Sequence, residues 1–419
     1  MLPITMTTDS DSIIGTHGNA LAGRKVILAM TGSVAVLKTV ELARLLMREG
    51  ATVIPVMSEG AQRMVGPQLV HWATGVQPIT ALSGANEHVE YAGNGSDRAD
   101  LLLVAPATAN TIGKIAAAID DTVVTTFATT AIGQGLPVVV APAMHEPMHN
   151  HPGVRRNLRT LCDMGVCLAG VNLEEGKAKM ALPDYLLDIC VQAIARAESA
   201  PLCGKHVIIT AGRTVEYLDP IRVITNNSSG KMGVALARAA FRRGARVTLI
   251  YGRGTEPSPD CADLVRVETG QQMYEEVLAR APDADALVAA AAVGDWKAVS
   301  ESTGKITTHG ASTLTIELTP TPKIIDAVRK VAPSIRLVAF RAQANLSRDE
   351  LLADARSRMQ TAAADMIAVN DVSIAGAGFE SDSNALTVIH SGGREIGFDL
   401  AGKQEIADGV ISELARYWM

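Results

Sequence analysis

Aromatic residues make up only 3% of this 419-residue chain. Its interior must therefore be filled by Ala, Val, Ile and Leu, a composition suited to helices packed on buried sheets. Cysteine is scarce: Cys162, Cys167, Cys190, Cys203 and Cys261 are odd in number and none forms a CxxC. That argues against a disulfide framework or a zinc site, and a reducing cytoplasm fits best. No apolar run reaches the ~20 residues of a membrane span. Residues 1–23 lack the charged-then-apolar pattern of a signal peptide and read as an extension before the first strand. Long basic runs are missing and the net charge is −6, so nucleic acid is not an expected partner. Neither GxGxxG nor GxxxxGK[ST] occurs, which argues against a standard dinucleotide fingerprint and against a Walker loop.

What is present is a chain 47% hydrophobic and 20% charged, long enough for two domains. Lys25–Met30, a helical pattern over Val34–Glu49 ending at Gly50, and Thr52–Met57 form a βαβ unit. Leu101–Val104 and Val138–Ala141 are further buried strands. The pattern restarts at His206–Thr210, with a helix over Gly233–Arg243 and strands at Arg246–Ile250, Ala286–Ala290, Leu337–Phe340 and Met366–Val369. The expected fold is α/β, with two Rossmann-like domains at 24–198 and 205–419 joined by a linker at 199–204, where Glu198-Ser199-Ala200-Pro201 breaks a helix. Open parallel sheets bind ligands beyond the carboxyl ends of their strands, so the residues after each strand carry the chemistry.

In the first half these are Thr31-Gly32-Ser33-Val34, Pro106-Ala107-Thr108-Ala109-Asn110-Thr111 and Pro142-Ala143-Met144-His145. Small residues let backbone N–H groups approach a phosphate at a helix start. Taken singly, the plainer readings are a tight turn, a helix cap from Thr108, Asn110 or Thr111, and a structured loop. His145, His149 and His151 have helical metal-ligand spacing, but Pro147 and Pro152 argue against a regular helix there. In their joint order the three loops resemble the flavin-binding phosphopantothenoylcysteine decarboxylase family over residues 24–195. The resemblance implies a flavodoxin-like domain that binds FMN. It makes His88 the acid–base residue and Asn110 a polar contact near flavin and substrate. Gly32, Ser33, Val34, Ser58, Pro106, Ala107, Thr108, Ala141 and Met144 would hold the cofactor. Oxidation of the cysteinyl thiol to a thioaldehyde would provide an electron sink, so that carbon dioxide can leave and the hydride can then be returned. His145 stands where the family has a substrate-binding Asn. The segment Glu174-Glu175-Gly176-Lys177-Ala178-Lys179-Met180 replaces the usual cysteine-bearing flap, which makes Lys177 and Lys179 candidate clamps for the substrate phosphate.

In the second half, Asp219-Pro220-Ile221-Arg222 is followed by Thr225-Asn226-Asn227-Ser228-Ser229-Gly230-Lys231-Met232-Gly233. This is a polar, glycine-containing turn at a helix entrance, suited to a phosphate or to capping by Ser228 or Ser229. With Ala289–Trp296, Lys305-Ile306, Asn370-Asp371-Val372 and Gly378–Asn384, it resembles the phosphopantothenate–cysteine ligase family across roughly 203–417. That resemblance implies ligation of 4'-phosphopantothenate to L-cysteine through an acyl nucleotide, with CTP as co-substrate and Mg2+ bound mainly through the triphosphate. Asn226 would handle the intermediate and Lys305 its formation. Ser228, Ser229, Gly230 and Lys231 would meet substrate. Ala289, Ala290, Ala291, Asp295, Pro322, Lys323, Ile324, Ile325, Phe340, Arg358 and Phe379 would line the nucleotide site, with Asp295 a possible metal contact. Trp296, Thr307-Thr308, Gln343 and Ala362 depart from the family pattern. The fusion resembles the bifunctional proteins of coenzyme A biosynthesis and implies a homo-oligomer with trimeric decarboxylase and dimeric ligase contacts. The competing readings are a nicotinamide dehydrogenase, disfavoured by the absent fingerprint, and a non-catalytic flavin-binding regulatory subunit, disfavoured by the retained His88, Asn110, Asn226 and Lys305.

Overall fold

A computed structural model describes residues 10–307, 313–373, 376, 378 and 380–419. The chain divides into two compact units, Met1–Ser199 and Ala200–Met419.

In the first unit five parallel strands lie in the order Thr52–Met57, Lys25–Met30, Leu101–Ala107, Val138–Pro142, Cys167–Leu168. This is the flavodoxin-like order, whose direction reverses between the first and third strands in sequence. Ile27, Ala29, Leu102, Val104, Val138 and Val140 pack on one face against Ile112, Phe127 and Ala128. Their neighbours Val26, Leu28, Leu101 and Leu103 are also fully buried, so both faces are covered. The helical pattern over 34–49 resolves into a 3-10 turn, Val34–Lys38, and an α-helix, Thr39–Arg48. A small antiparallel sheet joins Met144–His145 to the hairpin Asn172–Glu174 and Lys177–Lys179. Glu175 and Gly176 both have positive φ, 52° and 68°, as a tight two-residue hairpin turn demands.

The second unit carries an eight-stranded sheet. Six parallel strands run Asp263–Arg266, Arg246–Tyr251, His206–Ala211, Ala286–Ala289, Arg336–Gln343, Met366–Asp371, the 3-2-1-4-5-6 order of dinucleotide-binding folds. An antiparallel pair, Ser383–His390 and Glu395–Gly402, extends the far edge. Alternate residues face opposite ways: Val207 and Ile209 meet Val234, Leu236 and Val410, whereas Ile208 meets Met273, Val277 and Val328. Two further antiparallel pairs, Val215–Tyr217 with Val223–Thr225 and Trp296–Ala298 with Leu318–Pro320, contact one another outside the main sheet. Among the described residues no helix is long and apolar enough to cross a membrane.

Candidate functional sites

In the first unit the loops after three adjacent strands are tied together where the strand order reverses. The Thr31 hydroxyl, buried, donates to the Pro106 carbonyl at 2.6 Å and accepts from the Thr108 N–H at 3.1 Å. Gly32 lies against Gly60: a Cβ on Gly32 would stand 3.0 Å from the Gly60 Cα. The Ala143 N–H donates to the Ala107 carbonyl at 2.9 Å. Ser33, Ser58 and Thr108 each cap the helical turn that follows, accepting from Ala35, Ala61 and Thr111 N–H groups. Gly32, Ser33, Val34, Ser58, Pro106, Ala107 and Thr108 thus belong to one loop cluster, and Asn110 is exposed on the helix that starts there. Ala141 is buried at the end of the fourth strand. Thr31, which joins the cluster's two halves, opens the first motif but was given no role of its own there. The glycine pair leaves a cradle free of side chains, and three helical turns start around it, an arrangement that fits a flavin phosphate and ring.

His88 sits on the short helix Glu87–Ala92, which packs against the Val123–Gly133 helix. Its Nδ1 is buried with no hydrogen-bond partner among the described residues. His145 pairs with Lys177 across the small sheet, and Met144 with Ala178. Lys179 is held by its own hairpin: its Nζ lies 2.9 Å from carboxylates of both Glu174 and Glu175, which hold the ammonium above its ordinary value. Lys177 is exposed. No regular helix carries His145, His149 and His151 together: the prolines at 147 and 152 stand in two separate helices, with a break at Asn150 and His151. Each proline stands in the first turn of its helix, Glu146–His149 and Pro152–Asp163, where the missing N–H would have had no partner. His151 Nδ1 caps the second of these, accepting from the Gly153 N–H at 3.1 Å.

In the second unit a cavity of about 610 Å³ opens where the strand order reverses between His206–Ala211 and Ala286–Ala289. One wall is Asn226, Ser228, Ser229, Gly230 and Lys231; another is Ala289, Ala290, Ala291 and Asp295; a third is Pro322, Lys323, Ile324, Ile325, Phe340 and Arg358. The Asn226 side-chain amide donates to the carbonyls of Ala292 and Val293 at 3.1 and 3.2 Å, which joins the first wall to the second. The Ala291 and Gly294 N–H groups donate to the Thr210 and Thr214 hydroxyls at 3.2 and 2.8 Å. Asp295 pairs with Lys323, and Arg358 with Asp326 at 2.8 Å.

Gly230, with φ of 88°, and not Ser228 or Ser229 occupies the N-cap position of the Lys231–Arg242 helix, while Ser229 Oγ, one residue earlier, accepts from the Lys231 N–H at 3.5 Å. A Cβ at Gly230 would stand 2.4 Å from the Tyr251 hydroxyl, so glycine is required at the point where the turn crosses that ring. Lys305 is exposed and is not among the residues lining the cavity. Its neighbour Ile306 donates its N–H to Asp219 at 3.0 Å. Asp219 also accepts from the Ile221 and Arg222 N–H groups and from the Arg222 guanidinium at 2.7–2.8 Å. Burial opposes ionisation of Asp219, yet the amides of Ile306, Ile221 and Arg222 and the guanidinium outweigh it and hold the carboxyl down to about 2. Phe379 and Thr308 lie outside the described residues. The cavity also includes Arg341, Asn370, Asn384 and Lys403, to which the motifs assigned no role. Gln343 and Arg341 both bond Asp354, and Ala362 is buried just after the Arg348–Thr361 helix.

Both units are thus of kinds met in cofactor and nucleotide proteins: a flavodoxin-like unit followed by a 3-2-1-4-5-6 unit with a switch-point cavity. A family model described as Flavoprotein matches residues 14–195, and one described as the DNA/pantothenate metabolism flavoprotein C-terminal domain matches 202–417. The chain is 41% identical over 408 residues to the coenzyme A biosynthesis bifunctional protein CoaBC of Thermococcus kodakarensis, covering 96% of this chain and 98% of that one. It is 33% identical to the CoaBC protein of Escherichia coli, covering 94% and 97%. The chain belongs to the family of bifunctional coenzyme A biosynthesis proteins. A crystal structure of a CoaBC C-terminal domain superposes with a TM-score of 0.44 at 29% identity, covering 52% of this chain and 97% of that one.

Proposed function

We propose that the C-terminal unit ligates 4'-phosphopantothenate to L-cysteine with CTP, and that the N-terminal unit decarboxylates the product to 4'-phosphopantetheine with FMN. The observation that carries this reading is the cavity at the strand-order reversal, in which the Asn226–Lys231 turn faces the Ala289–Asp295 loop.

In ligation a carboxylate attacks the α-phosphorus and pyrophosphate leaves; the cysteine amine then displaces the nucleotide. Both steps build negative charge on oxygen, which amide and cationic donors stabilise. Ser228, Ser229, Gly230 and Lys231 supply such donors at a helix start. Asn226 serves the intermediate by turning an amide N–H to it from one of its two carbonyl partners, Ala292 or Val293. Lys305 reaches the reacting phosphate from its exposed segment. Ala289, Ala290, Ala291, Pro322, Ile324, Ile325 and Phe340 give the base an apolar bed, with Arg358 at its rim. Mg2+ would be carried by the triphosphate, and Asp295, paired here with Lys323, is the carboxylate that would contact it.

In decarboxylation, bound FMN supplies a two-electron acceptor for the cysteinyl thiol. The Gly32–Val34, Ser58 and Pro106–Thr108 loops, with Ala141 and Met144, hold it. His88 Nδ1 holds or passes the proton, Asn110 and His145 orient the substrate carboxylate, and Lys177 and Lys179 clamp its phosphate. Side chains of Ile221, Val299 and Leu314 are 65%, 55% and 58% exposed near the two projecting strand pairs, and Val34 and Leu37 are exposed beside the first-unit loops. The dimeric ligase contacts and trimeric decarboxylase contacts are carried over from the family resemblance, and these exposed apolar side chains are where such contacts would form. Five free cysteines suit a reducing cytoplasm.

The test is a purified protein that is yellow and releases pyrophosphate from CTP only when phosphopantothenate is supplied. His88→Asn should abolish decarboxylation and spare ligation, and Lys305→Gln the reverse. Loss of both activities by either folded variant would overturn the division of labour.

A further inference from the structure

The first turns of two helices reach the cavity together. Lys231 opens Lys231–Arg242 and Lys403 opens Lys403–Ala415, and the two helices pack side by side through Val234, Leu236, Val410 and Ile411. Both follow a glycine in the N-cap position, Gly230 and Gly402. Lys403 is only 7% exposed, yet it lines the cavity. Its Nζ lies 3.4 Å from the Gly378 carbonyl, whereas Lys231 Nζ meets the Glu380 carbonyl and the largely exposed Asp382. Burial pushes the Lys403 ammonium down and the charge on Lys231 pushes it further, against the pull of Asp382 and Glu256. Two ammonium groups on one wall, one of them desolvated, are stabilised by a polyanion entering the cavity.

We propose that Lys403, with Lys231, forms the subsite for the β- and γ-phosphates of the nucleoside triphosphate and for the pyrophosphate that leaves. This rests on reading the cavity as the nucleotide site. As the carboxylate oxygen bonds to the α-phosphorus, the bond from that phosphorus to its bridging oxygen breaks. The oxygen departs with the electron pair as part of pyrophosphate. Charge accumulates on the β-phosphate in that step, and the two ammonium groups stabilise it. The later attack by the cysteine amine takes place after pyrophosphate has gone, so Lys403 serves the first step and not the second.

Full-length wild type, Lys403→Met and Lys403→Arg are titrated calorimetrically with inorganic pyrophosphate. They are also assayed separately for pyrophosphate release from CTP and for conversion of supplied acyl nucleotide by cysteine. The Met variant should bind pyrophosphate about 10- to 100-fold more weakly, as loss of a charge-assisted contact implies. It should release pyrophosphate correspondingly slowly and convert the supplied intermediate normally. The Arg variant should recover most of the binding. A Met variant that binds pyrophosphate like wild type, or one that slows both steps equally, overturns the subsite, as does a wild type that does not bind pyrophosphate. A wild type that binds pyrophosphate but converts no nucleotide in the presence of phosphopantothenate would instead sink the nucleotide-site reading.

Discussion

Replacing Gly230 with alanine should disable ligation through a single methyl group. The backbone there is left-handed, with φ of 88°, which costs a non-glycine residue about 1–2 kcal/mol. The new Cβ would stand 2.4 Å from the Tyr251 hydroxyl oxygen and 2.7 Å from Cε2 of its ring. The ring has nowhere to go. It is fully buried, its hydroxyl donates to the Glu256 carbonyl at 2.6 Å, and a Cβ on Gly254 would stand as close to that hydroxyl as one on Gly230. Overpacking of this kind adds about 1–3 kcal/mol, so the substitution should cost about 2–5 kcal/mol. For a unit of this size that lowers the unfolding midpoint of the C-terminal unit by roughly 5–20 °C. Part of the strain will be relieved by moving the Ser228–Lys231 turn, whose Ser228 carbonyl is held by Arg213 at 2.6 Å. Pyrophosphate release should therefore slow by more than the population of folded protein explains. Decarboxylation of supplied phosphopantothenoylcysteine, which uses the other unit, should persist. If Gly230→Ala melts at the wild-type temperature and ligates at the wild-type rate, the steric account of the turn is wrong.

Gly32→Ala should weaken flavin retention, because its methyl would press on the Gly60 backbone at 3.0–3.1 Å and spread the first two loops; equilibrium dialysis of flavin reads this directly. Asp219 predicts an acid limit for the C-terminal unit. Its carboxyl is held at about 2 against an ordinary 3.8, so its contribution is complete above about pH 4 and is lost as the pH falls through 2. Thermal scans from pH 5 to 2.5 should show that loss, and Asp219→Asn should flatten it. Lys179→Ala should free the hairpin carboxylates, letting the Glu175 carboxyl, held low by its hydrogen bond to the Lys179 ammonium, rise toward its ordinary value. It should also loosen protection of the hairpin amides in hydrogen exchange.

The buried parallel strands were legible because a strand covered on both faces reads as a continuous apolar run, as Lys25–Met30 and His206–Ala211 do. The two strands Ser383–His390 and Glu395–Gly402 were not singled out. Only alternate side chains of the first are buried and the second is largely exposed, so no such run marks them. The small sheet that ties His145 to Lys177 rests on strands of two and three residues, too short for any period to register. Lys403 was illegible for another reason. Nothing near it in sequence says that its helix begins beside Lys231, and only the packing of two distant helices brings the ammonium groups to one wall. In the same way, the bond from Ile306 to Asp219 spans 87 residues, and with the bond from the Arg222 guanidinium to the Ile306 carbonyl at 2.6 Å it brings Lys305 to the Asp219–Arg222 turn.

The loop serines mark the boundary between what sequence can and cannot decide. For Ser33 the two readings were a plain tight turn and a phosphate contact, while Ser58 was expected only to meet the cofactor. In the fold both act as caps, with their oxygens accepting from Ala35 and Ala61 N–H groups. A hydroxyl that accepts a backbone hydrogen bond still has its own proton to donate. A helix start needs an acceptor and a phosphate needs donors, so one serine satisfies both demands at once. The two readings were never exclusive. What separates a plain cap from an anion site is the arrangement around it: the Gly32–Gly60 contact that keeps side chains away, and the Thr31 hydroxyl that fixes the Pro106–Thr108 loop alongside.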